Sequence, residues 1–141
     1  MKVVLNRVND DYRFEGKGSR ETSVFIDHNP NNPTEAKGAS PMELLLMAVG
    51  GCNAIDIIYV LKKQRQEVTS YRVEVEGTRT EVKKAKPFEA IHVNVYLEGT
   101  IAPEKAQRAA SLSFEKYCSV SITLEKSVAI TYDVFVNGTK I

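Results

Sequence analysis

The chain has 141 residues, 43% of them hydrophobic and 26% charged, the make-up of one ordinary globular domain. Nineteen basic and eighteen acidic residues leave a net charge of +1, and the balance is even along the chain: nine basic and eight acidic residues up to Gln66, then ten of each. The basic footprint of a nucleic-acid binder is missing, and disordered, collagen-like and low-complexity classes are excluded.

The start, MKVVLNRVNDDYRF, carries three consecutive apolar residues before charge resumes. That is no secretory signal, so the protein is expected in the cytoplasm. Its two cysteines, Cys52 and Cys118, lie far apart and outside any CxxC pair. In a reducing compartment they are not expected to form a structural disulfide, while a redox pair stays open.

In chain order, short strands are predicted at Val3–Leu5, Tyr12–Phe14 and Ser23–Ile26, with Asn9-Asp10-Asp11 as a turn between the first two. The stretch DHNPNNPTEAKGA is a turn-rich loop. Ser40-Pro41-Met42-Glu43 is a helix start, with Ser as N-cap, Pro at the first helical position and Glu closing a capping box. From Leu44 to Leu61 nearly every position is apolar on all sides, broken by Gly50, Gly51, Asn53 and Asp56. A helix of that kind must be surrounded. Its length would suit a membrane span, but Asn53 and Asp56 near the middle would be costly there. It reads instead as a buried central helix, and a chain this small needs a second copy to cover it.

Two alternating strands follow, one with Tyr71, Val73 and Val75 on a face, the other with Ile91, Val93, Val95 and Leu97, joined by a charged hairpin end at Glu81–Pro87. A second helix is predicted from Pro103 to about Tyr117, a short helical piece at Val120–Lys126, and a last strand at Val128–Val136. Asn137-Gly138-Thr139 reads as a turn. The order β-β-β-α-β-β-α-β makes residues 1–141 a single α+β domain.

Cys52 follows two glycines inside the long helix. Each glycine costs about 1 kcal/mol against alanine, so close approach or open space is expected there. A buried core cysteine is one reading of Cys52; a reactive thiol is the other. Asp56, four residues on, shares its face and opposes thiolate formation, so reactivity would need a compensating cation. Cys118 precedes Ser119; a helix capped there would set the thiol at a positive helix end beside Lys116, favouring thiolate, whereas packing under Tyr117 is the plainer alternative. His28 and His92 match no zinc spacing with these cysteines, so no metal is expected. No Gly-rich phosphate loop is present, and no cofactor is expected.

The segments SPMELLLMAVGGCNAIDIIYVLKK and EKYCSVSITLEK resemble the OsmC/Ohr family, the osmotically inducible and organic hydroperoxide resistance proteins, in particular an uncharacterised OsmC-like subgroup. The resemblance implies an intertwined homodimer in which two sheets wrap paired central helices. It further implies a reactive Cys52 and a resolving Cys118, with an organic hydroperoxide as substrate and a small dithiol as reductant. It calls for no nucleic acid and no membrane. In the peroxide-reducing branch a Glu ten residues before the reactive cysteine holds an Arg against the thiolate. Here Met42 takes that place and Glu43 comes one residue late; Arg20 is the first candidate for the arginine and Arg13 the second. The alternative is a catalytically inactive dimer binding a small hydrophobic ligand beside Cys52.

Overall fold

A computed structural model describes residues 1–20 and 22–141, and divides into two compact units, Met1–Leu45 and Leu46–Ile141. The first holds an antiparallel meander of β1 (Val4–Arg7), β2 (Phe14–Lys17) and β3 (Ser23–Ile26). β2 begins at the residue where the predicted strand ends. The Asn9 carboxamide oxygen accepts from the Asp11 and Arg13 backbone N–H groups, and Val8 N–H donates to the Arg13 carbonyl. That Asx-type turn holds the chain through Arg13 and delays the strand.

The long helix α1 (Pro41–Lys63) runs across the boundary between the units. Its start is the predicted capping box: Ser40 N–H donates to Glu43 Oε2 at 2.7 Å, and Glu43 N–H to Ser40 Oγ at 3.3 Å. The Ser40 backbone N–H first, and the Ser40 hydroxyl after it, hold the Glu43 carboxylate below its usual range. Glu43 therefore has a structural occupation at the helix end.

In the second unit, β4 (Glu67–Arg79) and β5 (Phe88–Thr100) form a long antiparallel hairpin, and β6 (Ala129–Val136) pairs parallel with β5. A two-residue strand, β7 (Thr139–Lys140), folds back on β6 through Asn137 and Gly138, both at positive φ. The parallel pairing requires a crossover. It consists of α2 (Pro103–Leu112), a π-helical turn (Ser113–Tyr117) and α3 (Ser119–Leu124). The predicted helix to Tyr117 thus stops five residues early as regular α-helix. Alternation is as expected: Ile91, Val93, Val95 and Leu97 are buried on β5, and Val134 and Val136 on β6.

Within a single chain α1 is covered on one side only. The helix is long and apolar enough to cross a membrane, yet only 33% of its apolar window is covered. Val49, Gly50, Asn53, Ile57, Val60 and Leu61 are buried. Met47, Ile55 and Tyr59 are 59%, 72% and 54% exposed, with exposed Gly51 in the same i, i+4 row. One layer of sheet and crossover covers only one side of a cylinder.

The two glycines serve different sides. A Cβ at Gly50 would come within 2.8 Å of Val75 Cγ2, whereas one at Gly51 would meet nothing within 4 Å among the described residues. Gly50→Ala is expected to lower stability by about 1–3 kcal/mol through overpacking. Gly51→Ala should raise that of an isolated chain by about 1 kcal/mol. Urea titration of both variants checks this, and a loss at Gly51 would report a second surface seated on that face.

Candidate functional site

The site is built from the middle of α1 and the end of the crossover. At 100° per residue, Cys52 and Asp56 fall between the exposed row of α1 and its buried side, so both are half-buried. Asn53, one step further round, is fully buried and ties the helix to the crossover. Its amide donates to the Val49 carbonyl at 2.9 Å and to Ser121 Oγ at 3.0 Å, while its oxygen accepts from Ser113 Oγ at 2.8 Å. The π-helical turn delivers Ser113 to this bond, and the Ser113 carbonyl accepts the Cys118 N–H.

Cys118, not Ser119, is the N-cap of α3. Its sulfur accepts from Ser121 N–H at 3.3 Å and from Ser121 Oγ at 3.2 Å, replacing the usual oxygen cap. The Ser121 hydroxyl therefore donates to sulfur while accepting from the Asn53 amide. The Cys118 side chain is fully buried. One ligand atom each of Cys52, Asp56 and Cys118 lie within 4.8 Å of one another, and both cysteines are free thiols. Residues 66 positions apart in sequence are thus brought together by one buried asparagine and two serines.

Burial is the main reason the Cys52 thiol lies above its ordinary range; the Cys118 sulfur and the Asp56 carboxylate push the same way, and the Val120 N–H at the start of α3 opposes them. Asp56 is likewise pushed up by burial, with the Ser113 hydroxyl pulling it partly back. Its Oδ2 is buried without a hydrogen-bond partner among the described residues. A carboxyl raised in the folded state contributes stability below its unfolded pKa of about 4, which is lost as pH rises through the folded value. Asp56→Asn, which abolishes that loss, should raise Tm at pH 7–8, with the gain shrinking towards pH 4. Thermal melts of both proteins across that range, run with chelator, check the sign.

His92, on β5, faces Thr131 Oγ1 at 2.8 Å and Asn94 Oδ1 at 3.2 Å. In the first unit, His28 packs edge-on to Tyr12, the Arg13 guanidinium sits 4.7 Å from the Phe25 ring centre, and Arg20 is exposed in a bend. The Asn53–Ser113–Ser121 network was not anticipated from sequence; its one visible sign was an asparagine inside an apolar helix. Ser121 also lines an open pocket of about 240 Å³ with Phe114, Val128 and Ile130.

A family model described as OsmC-like protein matches residues 34–133. Protein YhfA of Escherichia coli (strain K12) is 38% identical over 120 residues, covering 84% of this chain and 86% of that protein. A hypothetical protein from Aquifex aeolicus VF5 superposes with a TM-score of 0.80 at 30% identity, over 96% of each chain. The organic hydroperoxide resistance protein OhrB of Bacillus subtilis superposes with a TM-score of 0.64 over 95% of this chain and 96% of that one, but at 19% identity this is a likeness of fold. Matched over more than two-thirds of its length and built on the same architecture, the chain belongs to the OsmC-like family.

Proposed function

We propose that the protein is a thiol-dependent reductase of organic hydroperoxides, working through Cys52 and Cys118. The observation that carries this reading is the approach of the two sulfurs, both free, one half-buried and the other held behind it. The Cys52 thiolate attacks the terminal peroxide oxygen, the O–O bond breaks, and the alkoxide takes a proton and leaves as the alcohol. Cys52 is then a sulfenic acid. Attack by Cys118 forms the disulfide and releases water, and a small dithiol exchanges with it to restore both thiols. Such a cycle fits a cytoplasmic setting, where dithiol reductants are available. Cys52 lies above the ordinary thiol range, so thiolate formation calls for a supporting cation, for which Arg20 is the candidate drawn from the family resemblance.

The deciding experiment adds one equivalent of cumene hydroperoxide to the reduced protein, with intact and peptide masses read by time. Loss of two hydrogens mapped to a Cys52–Cys118 link within seconds supports the reading. Two free thiols after prolonged exposure would refute it.

The working form is proposed to be a homodimer joined through the exposed row Met47, Gly51, Ile55 and Tyr59, which borders Cys52. Sedimentation is expected to give twice the chain mass, and Ile55→Asp to give the single-chain mass, because burying an unpaired carboxylate in an apolar seam is costly.

A second reading, a dimer that binds a small hydrophobic molecule without turnover, draws on the open pocket beside Ser121. It predicts that such a ligand raises Tm equally in wild type and Cys52→Ser.

A further inference from the structure

We propose that the reduced protein holds a thiophilic divalent cation of the Zn²⁺ class between Cys52 Sγ, Cys118 Sγ and the Asp56 carboxylate. Peroxide reduction uses the two sulfurs but gives Asp56 no task. A carboxylate beside a thiol opposes its ionisation, yet a carboxylate oxygen of Asp56 lies within 4.8 Å of both sulfurs, and Asp56 Oδ2 is buried with no hydrogen-bond partner among the described residues. A dication answers all three groups at once, giving the carboxylate a partner and favouring the deprotonated sulfurs.

The geometry is close to what coordination requires. Zinc–sulfur bonds of about 2.3 Å at tetrahedral angles place ligand atoms roughly 3.5–3.8 Å apart. The three atoms already lie within 4.8 Å of one another, so small side-chain rotations close the set. Cys52 and Asp56 stand one turn apart on α1 and present both donors from one rigid element. Cys118 is fixed from the far side by the donors of Ser121, and Ser121 in turn by Asn53; such outer contacts orient ligands in metal sites. Two sulfurs and one oxygen suit Zn²⁺ or Co²⁺ rather than Mg²⁺ or Ca²⁺, which take six or more oxygens. Three protein donors leave a fourth position for water or a small ligand. The disulfide removes both sulfur donors, so the oxidised protein is excluded from binding.

The test is a Co²⁺ titration of the reduced full-length chain under anaerobic conditions, followed by Zn²⁺. One Co²⁺ per chain, with thiolate-to-cobalt charge-transfer bands and tetrahedral d–d absorption that Zn²⁺ bleaches, is expected. Asp56→Asn should keep the charge-transfer bands but weaken binding about tenfold or more, and Cys118→Ser should change or remove them. Absence of the bands in wild type at large Co²⁺ excess overturns the site, whatever the variants do. Bands and affinity unchanged in Asp56→Asn overturn the three-donor set. This outcome is separable from peroxide chemistry: a chain that binds cobalt but leaves cumene hydroperoxide untouched refutes the reductase and keeps the metal site, and the converse result does the reverse.

Discussion

Cys52→Ser is expected to lower hydroperoxide consumption to the uncatalysed background, a loss of about 10³-fold or more, since removing a nucleophile removes the pathway rather than one contact within it. Cys118→Ser should behave differently. Its Cys52 still has peroxide access from the half-buried side of α1, so one equivalent is consumed per chain. The product is then a sulfenic acid that a carbon nucleophile such as dimedone traps, and dithiol-driven turnover through the disulfide is lost. Stopped-flow consumption and masses of trapped adducts read both results. The pH dependence has a defined sign. Because burial lifts the Cys52 thiol above its ordinary range, the rate should climb with pH through and beyond that range. A rate already flat at pH 6 would show that another group holds the thiolate, and Arg20→Met would then be the first variant to make. Equal consumption by wild type and Cys52→Ser would leave the reductase reading without support.

Much of the scaffold was legible because its signals are local. The capping box, the apolar run of α1 and the two-residue alternation of β4, β5 and β6 each fix an element from its own residues. What was not legible depends on partners distant in sequence. Nothing in Ile91–Leu97 or Ile130–Val136 says that these strands lie parallel, since alternation identifies a strand but not its neighbour. The early end of α2 is similar: SFEKY is an acceptable helical sequence, and the π-helical turn accompanies the reach of Ser113 to Asn53, sixty residues away. Asn9 offered a local sign of the longer first turn, visible as its carboxamide bonds to Asp11 and Arg13. At the site, both cysteines and the shared face of Cys52 and Asp56 followed from motif and helical spacing. The cap by Cys118 and the relay through Ser121 did not, because a hydroxyl's partners are set by whatever the fold brings to it.

That relay makes Asn53→Asp, a near-isosteric change, strongly disruptive. The substitution preserves shape and swaps an amide donor for a carboxylate at a fully buried position. Asn53 donates to the Val49 carbonyl and to Ser121 Oγ; an aspartate donates to neither and sets negative charge against the carbonyl oxygen. Ser121 has a single hydroxyl proton, now committed to Cys118 Sγ. Facing a carboxylate it must turn that proton inward, and Cys118 keeps only the Ser121 N–H. Ser113 still has an acceptor at 2.8 Å, so the loss falls on the α3 side of the network. An uncompensated buried charge costs about 3–5 kcal/mol, a large share of a total stability of about 5–15 kcal/mol. The urea midpoint at pH 7 should fall accordingly with an unchanged slope. The new carboxyl is favoured neutral by its burial, so the deficit against wild type should narrow as pH drops towards 4. Disulfide formation under hydroperoxide should slow as well, because the sulfur of Cys118 is held in place through Ser121. A loss under about 1 kcal/mol at pH 7 would mean that water or another donor satisfies the site and that Asn53 does not organise the two thiols.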